Sequence, residues 1–239
     1  MQIGKSLPGK NLAEEECDHQ LLLDKPFFPH YSLSTWIWMM TATNTLPEQF
    51  ALHREINLQK DQALLIKLNL WSLALLPVIV YFLVQIGATL HPEFHTTLEV
   101  LTPQLPILVQ ILGLILGLTI TTLLHELVHG ISFWIITHQL PRFGFRGAYA
   151  FAAAPGWYIP RNAYFIIGAA PLVILSILGI IFVPIIPSRL LYTWLFCLLV
   201  NASGAVGDVY VLGYIVRQPA TAMVQDRGDI ISVYTEAAS

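Results

Sequence analysis

The chain has 239 residues, of which 55% are hydrophobic and only 11% are charged. Ordinary soluble domains carry roughly a quarter charged residues, so this composition excludes a soluble globular protein and favours an integral membrane protein. The formal net charge of -3 is too small to predict nucleic acid or another strongly charged partner.

The first predicted region is a polar, partly interfacial extension at residues 1–45, before a membrane-embedded domain at residues 46–239. The extension has no apolar core followed by a small-residue cleavage site, so we expect no secretory signal peptide. From Leu46 to Leu58, apolar residues recur mostly at even positions, which is typical of a short strand.

Four apolar stretches then reach the roughly 20 residues that a membrane-spanning helix needs. They cover about residues 70–90, 106–136, 163–183 and 190–216. The second stretch is longer than one simple span requires, which predicts a tilted helix or one that continues beyond the bilayer. The sequence therefore predicts an all-α membrane protein of about four transmembrane helices with a small cytoplasmic β element.

The distribution of Lys and Arg predicts the orientation of these spans. Basic residues precede the first span, lie between the second and third, and follow the fourth, whereas the other two connections carry only Arg189. Because basic residues concentrate in cytoplasmic flanks, we expect both termini in the cytoplasm, with the plasma membrane as host. The loop 141–155, predicted as a hairpin, and the tail 217–239, with its apolar run 229–234, then join the strand at 46–58 on the cytoplasmic side. We expect these segments to form one small sheet.

The second span contains the sequence His125-Glu126-Leu-Val-His129. In a helix the two histidines lie on one face, about one turn apart, where they can bind one zinc ion with Glu126 beside it. The alternative is a helix whose polar groups only satisfy one another within the bundle. Ionisable side chains inside a span are costly, so three together favour the metal site.

A catalytic zinc site needs a third protein ligand, and the fourth span offers Asp208. Asn201, Gly204 and Asp208 lie at i, i+3 and i+7, on one stripe of a helix. We expect His125 and Asp208 at a similar depth, near 28 Å from the outer surface at about 1.5 Å per residue. Alternatively, Asp208 is an ordinary acid near a helix end.

Small and amide residues complete the candidate site. The side chain of Asn201 is expected to orient a ligand or to bind substrate, although buried amides also commonly bridge transmembrane helices. Gly204 is expected to let a neighbouring backbone come close. In the second span, Gly113 and Gly117 form a GxxxG pattern that predicts close helix packing.

The order of these motifs resembles known membrane metallopeptidases. HExxH in one span and Asn-x-x-Gly-x-x-x-Asp in a later one are similar to the site-2 protease type of intramembrane zinc metalloprotease. A closer resemblance, over roughly residues 46–239, is to a membrane family described as "putative zincin peptidases". It rests on Leu46-Pro-Glu-Gln-Phe, Leu68-Asn-Leu, HELVHG, Pro141-Arg-Phe-Gly-Phe and Ala170-Pro171-Leu. The resemblance implies a zinc-dependent peptidase with Glu126 as catalytic residue and His125, His129 and Asp208 as ligands.

The expected function is hydrolysis of peptide bonds in membrane-protein or peptide substrates near the cytoplasmic interface. Glu126 is expected to take a proton from a zinc-activated water and to pass it to the departing amine. An extended substrate could be held by strand addition to the segment 143–151. Two alternatives stay open: a non-proteolytic zinc-binding chaperone or regulator, and a transporter component that uses Asp208 and the histidines for ion passage.

Overall fold

The computed structural model describes residues 41–94, 106–146 and 149–237. The helices are α1 (Gln62–Leu90), α2 (Ile107–Thr137), α3 (Arg161–Phe182), α4 (Ser188–Gly204) and α5 (Val206–Ile215), and a 3-10 turn, Val183–Ile185, follows α3. The strands are β1 (Phe50–Asn57), β2 (Arg142–Phe145), β3 (Ala150–Ala153), β4 (Ile159–Pro160), β5 (Met223–Asp226) and β6 (Ile230–Glu236). This mostly helical architecture with a small antiparallel sheet confirms the predicted fold class.

Four helical segments of the described residues are long and apolar enough to span a membrane, as predicted: α1, α2, α3 with its 3-10 turn, and α4 with α5. The chain is a membrane protein. The helix α1 begins at Gln62, well before the predicted residue 70. Its first turn is stabilised because the Asp61 carboxylate accepts a hydrogen bond from the backbone N–H of Leu64, at 2.9 Å. The predicted start at residue 70 left out the first two turns of α1, which contain Gln62, Lys67 and Asn69 among apolar residues.

The central helix of the bundle is α2, which packs against both α3 and α4. A Cβ atom at Gly117 would lie 2.9 Å from Sγ of Cys197, and one at Gly113 would lie 3.5 Å from Oγ1 of Thr193. The GxxxG pattern therefore marks a close helix contact, as predicted. The helix α1 packs against the fourth span, where Oγ of Ser72 donates a hydrogen bond to the carbonyl of Ser203 at 3.0 Å.

The strands form two sheets, so the single sheet expected from the sequence is wrong. Strands β1 and β6 occur where predicted and pair antiparallel, but β5 and β4 complete their four-stranded sheet, in the order β1-β6-β5-β4. The predicted hairpin is present as β2 and β3, which pair only with each other among the described strands. It packs along α2, where the Phe143 ring lies against Gly130 and would collide with any Cβ atom at that residue.

The pairing of β1 with β6 has a consequence for topology. It places both ends of the described membrane domain on one side of the membrane, as four spans require. Ile159, Val224 and Val233 are fully buried between this sheet and the ends of the helices. Most of the predicted extension 1–45 lies outside the described residues. Within it, Thr43 forms two backbone hydrogen bonds with Tyr158, at 3.0 and 2.7 Å.

Candidate metal centre

Three side chains predicted as ligands converge between α2 and α5. His125 and His129 lie one turn apart on α2, and Asp208 lies in the first turn of α5. Nε2 of His125 is 3.1 Å from Oδ2 of Asp208, and Nε2 of His129 is 3.4 Å from its Oδ1. One ligand atom from each of the three residues lies within 4.8 Å of the others. The structure thus brings the predicted set together from two distant spans.

In each imidazole, the nitrogen that faces away from Asp208 forms a hydrogen bond to an oxygen atom. Nδ1 of His125 donates to Oδ1 of Asn201 at 3.0 Å, and Nδ1 of His129 donates to the carbonyl of Ile167 at 3.1 Å. Since each Nδ1 has an oxygen acceptor, Nε2, which faces Asp208, is the nitrogen of each ring that can bind a metal ion. Metal-binding histidines are held in this way by second partners. Asn201, buried and itself bonded to Oγ of Ser176 at 3.2 Å, is therefore placed to orient a ligand.

The chemistry of this donor set fits zinc. Two imidazole nitrogens and one carboxylate oxygen are ligands that zinc accepts in catalytic sites, where a fourth position stays open. The side chains are shielded, with 10% exposure for the histidines and 29% for Asp208. All three side chains line the neighbouring cavity.

A cavity of about 520 Å³ adjoins the three ligands. Its walls come from all four spans, from β3 and from the turn between β5 and β6. Glu126 lines this cavity, and its carboxylate lies close to the backbone of Ala152 in β3. The predicted catalytic carboxylate therefore lies beside the candidate ligands, on the wall of the same cavity.

Gly204 does not make the close helix contact that the sequence predicts. A Cβ atom at Gly204 would meet no atom of residues 41–94, 106–146 or 149–237 within 4 Å, so the expected close approach is wrong for this part of the chain. The helix is interrupted at Ala205, between α4 and α5, and Gly204 is exposed where it lines the cavity. Because glycine has no side chain, the space beside this residue is open.

Tyr164 and Asp226 line the same cavity and were not predicted from the sequence. The Tyr164 hydroxyl donates to Oδ2 of Asp226 at 2.5 Å, and the backbone N–H of Gly228 donates to its Oδ1 at 2.7 Å. Burial raises the pKa of Asp226 to about 6, although both hydrogen bonds act in the opposite direction. Sequence patterns miss this pair because a tyrosine at the start of a span and an aspartate before a turn both have ordinary structural explanations.

We expect the stability of wild type relative to Asp226→Asn to fall as the pH rises from about 4 to about 6. The pKa of Asp226 is raised from 3.8 to about 6, so over this range the folded state keeps a proton that the unfolded state has lost. The stabilisation is complete below the unfolded pKa and lost as pH rises through the folded pKa. It amounts to about 3 kcal/mol by linkage. Melting temperatures in detergent at pH 3.5 and 7 measure it. A difference between the two proteins that is the same at both pH values would contradict it.

Comparison with known proteins gives one family match. Residues 118–223 match the profile of a family described as "Putative zincin peptidase", and this segment contains His125, Glu126, His129 and Asp208. The match confirms the family resemblance over this segment, which contains HELVHG, Pro141-Arg-Phe-Gly-Phe and Ala170-Pro171-Leu. No curated protein and no solved structure matches the chain. The similarity to site-2 proteases stays a prediction.

Proposed function

We propose, from the zincin peptidase match of residues 118–223 and the geometry of the site, that this chain is a zinc-dependent integral-membrane metallopeptidase. It hydrolyses peptide bonds of membrane-associated substrates near the cytoplasmic interface. The observation that carries the proposal is the convergence of His125, His129 and Asp208 beside a cavity lined by Glu126. The experiment that tests it is cleavage of a reporter peptide by wild type and by Glu126→Gln.

The residues of the chain divide the chemistry between them. His125, His129 and Asp208 would hold the ion, and zinc in such a site polarises a peptide carbonyl and lowers the pKa of a water to about 7. Glu126 accepts, at its carboxylate, the proton that the water loses on attacking the carbonyl carbon. It gives that proton to the amine nitrogen as the C–N bond breaks, so it is regenerated in each turnover.

The proposed orientation places the sheet and both termini in the cytoplasm. Of the described Lys and Arg residues, only Arg189 lies at the opposite end of the bundle. Since basic residues concentrate on the cytoplasmic side, this distribution supports the orientation. The plasma membrane is the proposed host membrane, and the lipid bilayer and a peptide segment are the proposed partners.

The substrate segment must be extended at the cleavage site, because a helix hides its carbonyl groups in internal hydrogen bonds. The backbone N–H of Arg146 donates to the carbonyl of Tyr149, which sets the alternation of hydrogen bonds along the β2–β3 hairpin. By this alternation, the peptide groups of Ala150 and Ala152 point away from β2. That outer edge lies beside Glu126 and, among the described strands, pairs with none. An extended substrate can add to it as a further strand.

We expect Ala150→Pro to lower the cleavage rate about tenfold, because it removes an outward N–H group from β3 without removing a β2–β3 hydrogen bond. Zinc content is expected to stay unchanged. The matched control is Phe145→Pro, which removes an outward N–H group from β2, on the side of the hairpin away from Glu126. Equal rates for the two variants would exclude strand addition to β3.

A further inference from the structure

We propose that Asn69 of α1 is a substrate-binding residue, whose side-chain amide hydrogen bonds to the backbone of the peptide segment in the cavity. The inference rests on the proposed peptidase function and assigns a contact within the same site. Asn69 lines the cavity that also holds His125, Glu126 and His129.

The cavity opens between the membrane-spanning helices. Its exposed lining residues are Asn69 of α1, Leu118 of α2 and Gly204 of α4. The lining residues that come from the strands and their turns are all buried or partly buried. Asn69 therefore lies on an accessible part of the wall of the cavity that Glu126 also lines.

The Asn69 amide has bonding capacity left in the structure. One N–H of its side chain donates to the carbonyl of Leu65 at 2.9 Å, and within the described ranges its Oδ1 accepts no hydrogen bond. Asn69 is exposed, between Lys67 and the apolar residues Leu70 and Trp71. An amide oxygen can accept two hydrogen bonds, so Oδ1 is available to a ligand in the cavity.

An extended peptide supplies the missing partner. The side chain of asparagine carries a donor and an acceptor with the chemistry of a peptide group, so it can pair with a backbone N–H and C=O. A strand in a membrane must satisfy the groups on both of its edges. The outer edge of β3 can satisfy one edge of the substrate, and Asn69 supplies partners for the other.

The inference can be tested without knowledge of the natural substrate, by binding to zinc-loaded Glu126→Gln protein in lipid nanodiscs. Two probes are compared: acetohydroxamate, which contacts only the metal, and acetyl-trileucyl hydroxamate, which adds a peptide backbone. In this background Asn69→Leu is expected to weaken binding of the peptide probe about tenfold and to leave acetohydroxamate binding unchanged. The matched control is Gln85→Leu, which removes an exposed amide of α1 outside the cavity and is expected to change neither affinity.

Each outcome has a distinct meaning. If Asn69→Leu binds the peptide probe as tightly as Gln85→Leu does, the role of Asn69 is overturned while the zinc site stands. An equal loss of affinity for both probes would show distortion of the metal site and would also overturn it. If zinc-loaded wild type binds neither hydroxamate, the proposed function itself fails. If the Asn69→Leu protein does not bind zinc, Asn69→Ala is tested in its place. The same loss of affinity for the peptide probe is expected.

Discussion

Glu126→Gln is expected to slow cleavage of a reporter peptide by between about 100-fold and 10,000-fold, the usual contribution of a general base. The amide cannot accept the proton that the attacking water loses. Zinc content is expected to match that of wild type, because the convergent ligand group contains His125, His129 and Asp208 but not Glu126. Initial rates on a fluorogenic peptide, with metal analysis of the same samples, measure both quantities.

The matched control is Glu55→Gln, which makes the same chemical change at an exposed position of β1. It is expected to cleave at the wild-type rate. A zinc-loaded Glu126→Gln protein that cleaves as fast as wild type would remove Glu126 from the mechanism. If wild type holds zinc but cleaves no peptide, the zinc-binding regulator becomes the better account.

His125→Ala and Asp208→Asn are each expected to lose zinc. Loss of an outer partner of a ligand typically lowers metal affinity 10- to 100-fold, and loss of a ligand itself is expected to cost more. The Asp208→Asn change keeps the shape of the side chain but removes its charge, so it tests the carboxylate as a ligand. The measurement is the ratio of zinc to protein after dialysis against a competing chelator.

His53→Ala is the control for this pair, because it removes an exposed imidazole from β1. It is expected to retain zinc fully. Retention of zinc by Asp208→Asn alone would leave Asp208 as an ordinary acid near a helix end. Retention by both site variants would mean that the metal, if present, is bound elsewhere in the chain.

The spans and four of the strands were predictable because their signals are local. Hydropathy found all four spans and alternation found β1. Turn glycines among aromatic and small residues indicated the hairpin of β2 and β3, and an apolar run after Gly228 indicated β6. The partners of each strand depend on tertiary contacts, which local patterns do not contain. The hairpin does not pair with the four-stranded sheet that was expected to include it. It packs on α2 instead, where Phe143 of β2 lies against Gly130. The early start of α1 depends on the Asp61 cap, which hydropathy does not register.

The site was predictable to the extent that its residues carry unusual signals. An HExxH sequence in an apolar span is rare enough to indicate His125, Glu126 and His129, and a shared stripe and depth added Asp208. Asn69, Tyr164 and Asp226 each have an ordinary explanation in the sequence, and only the shared cavity connects them to the ligands. Contacts across the bundle decide their relevance.

The central claim is that one zinc ion is bound by two imidazoles and the carboxylate of Asp208. X-ray absorption spectroscopy at the zinc edge of the purified protein tests it most directly. The expected spectrum contains only nitrogen and oxygen ligands, at about 2.0–2.2 Å, with the outer-ring scattering of two imidazoles. A sulfur ligand at about 2.3 Å, which would implicate Cys17 or Cys197, or the absence of imidazole scattering, would contradict the claim.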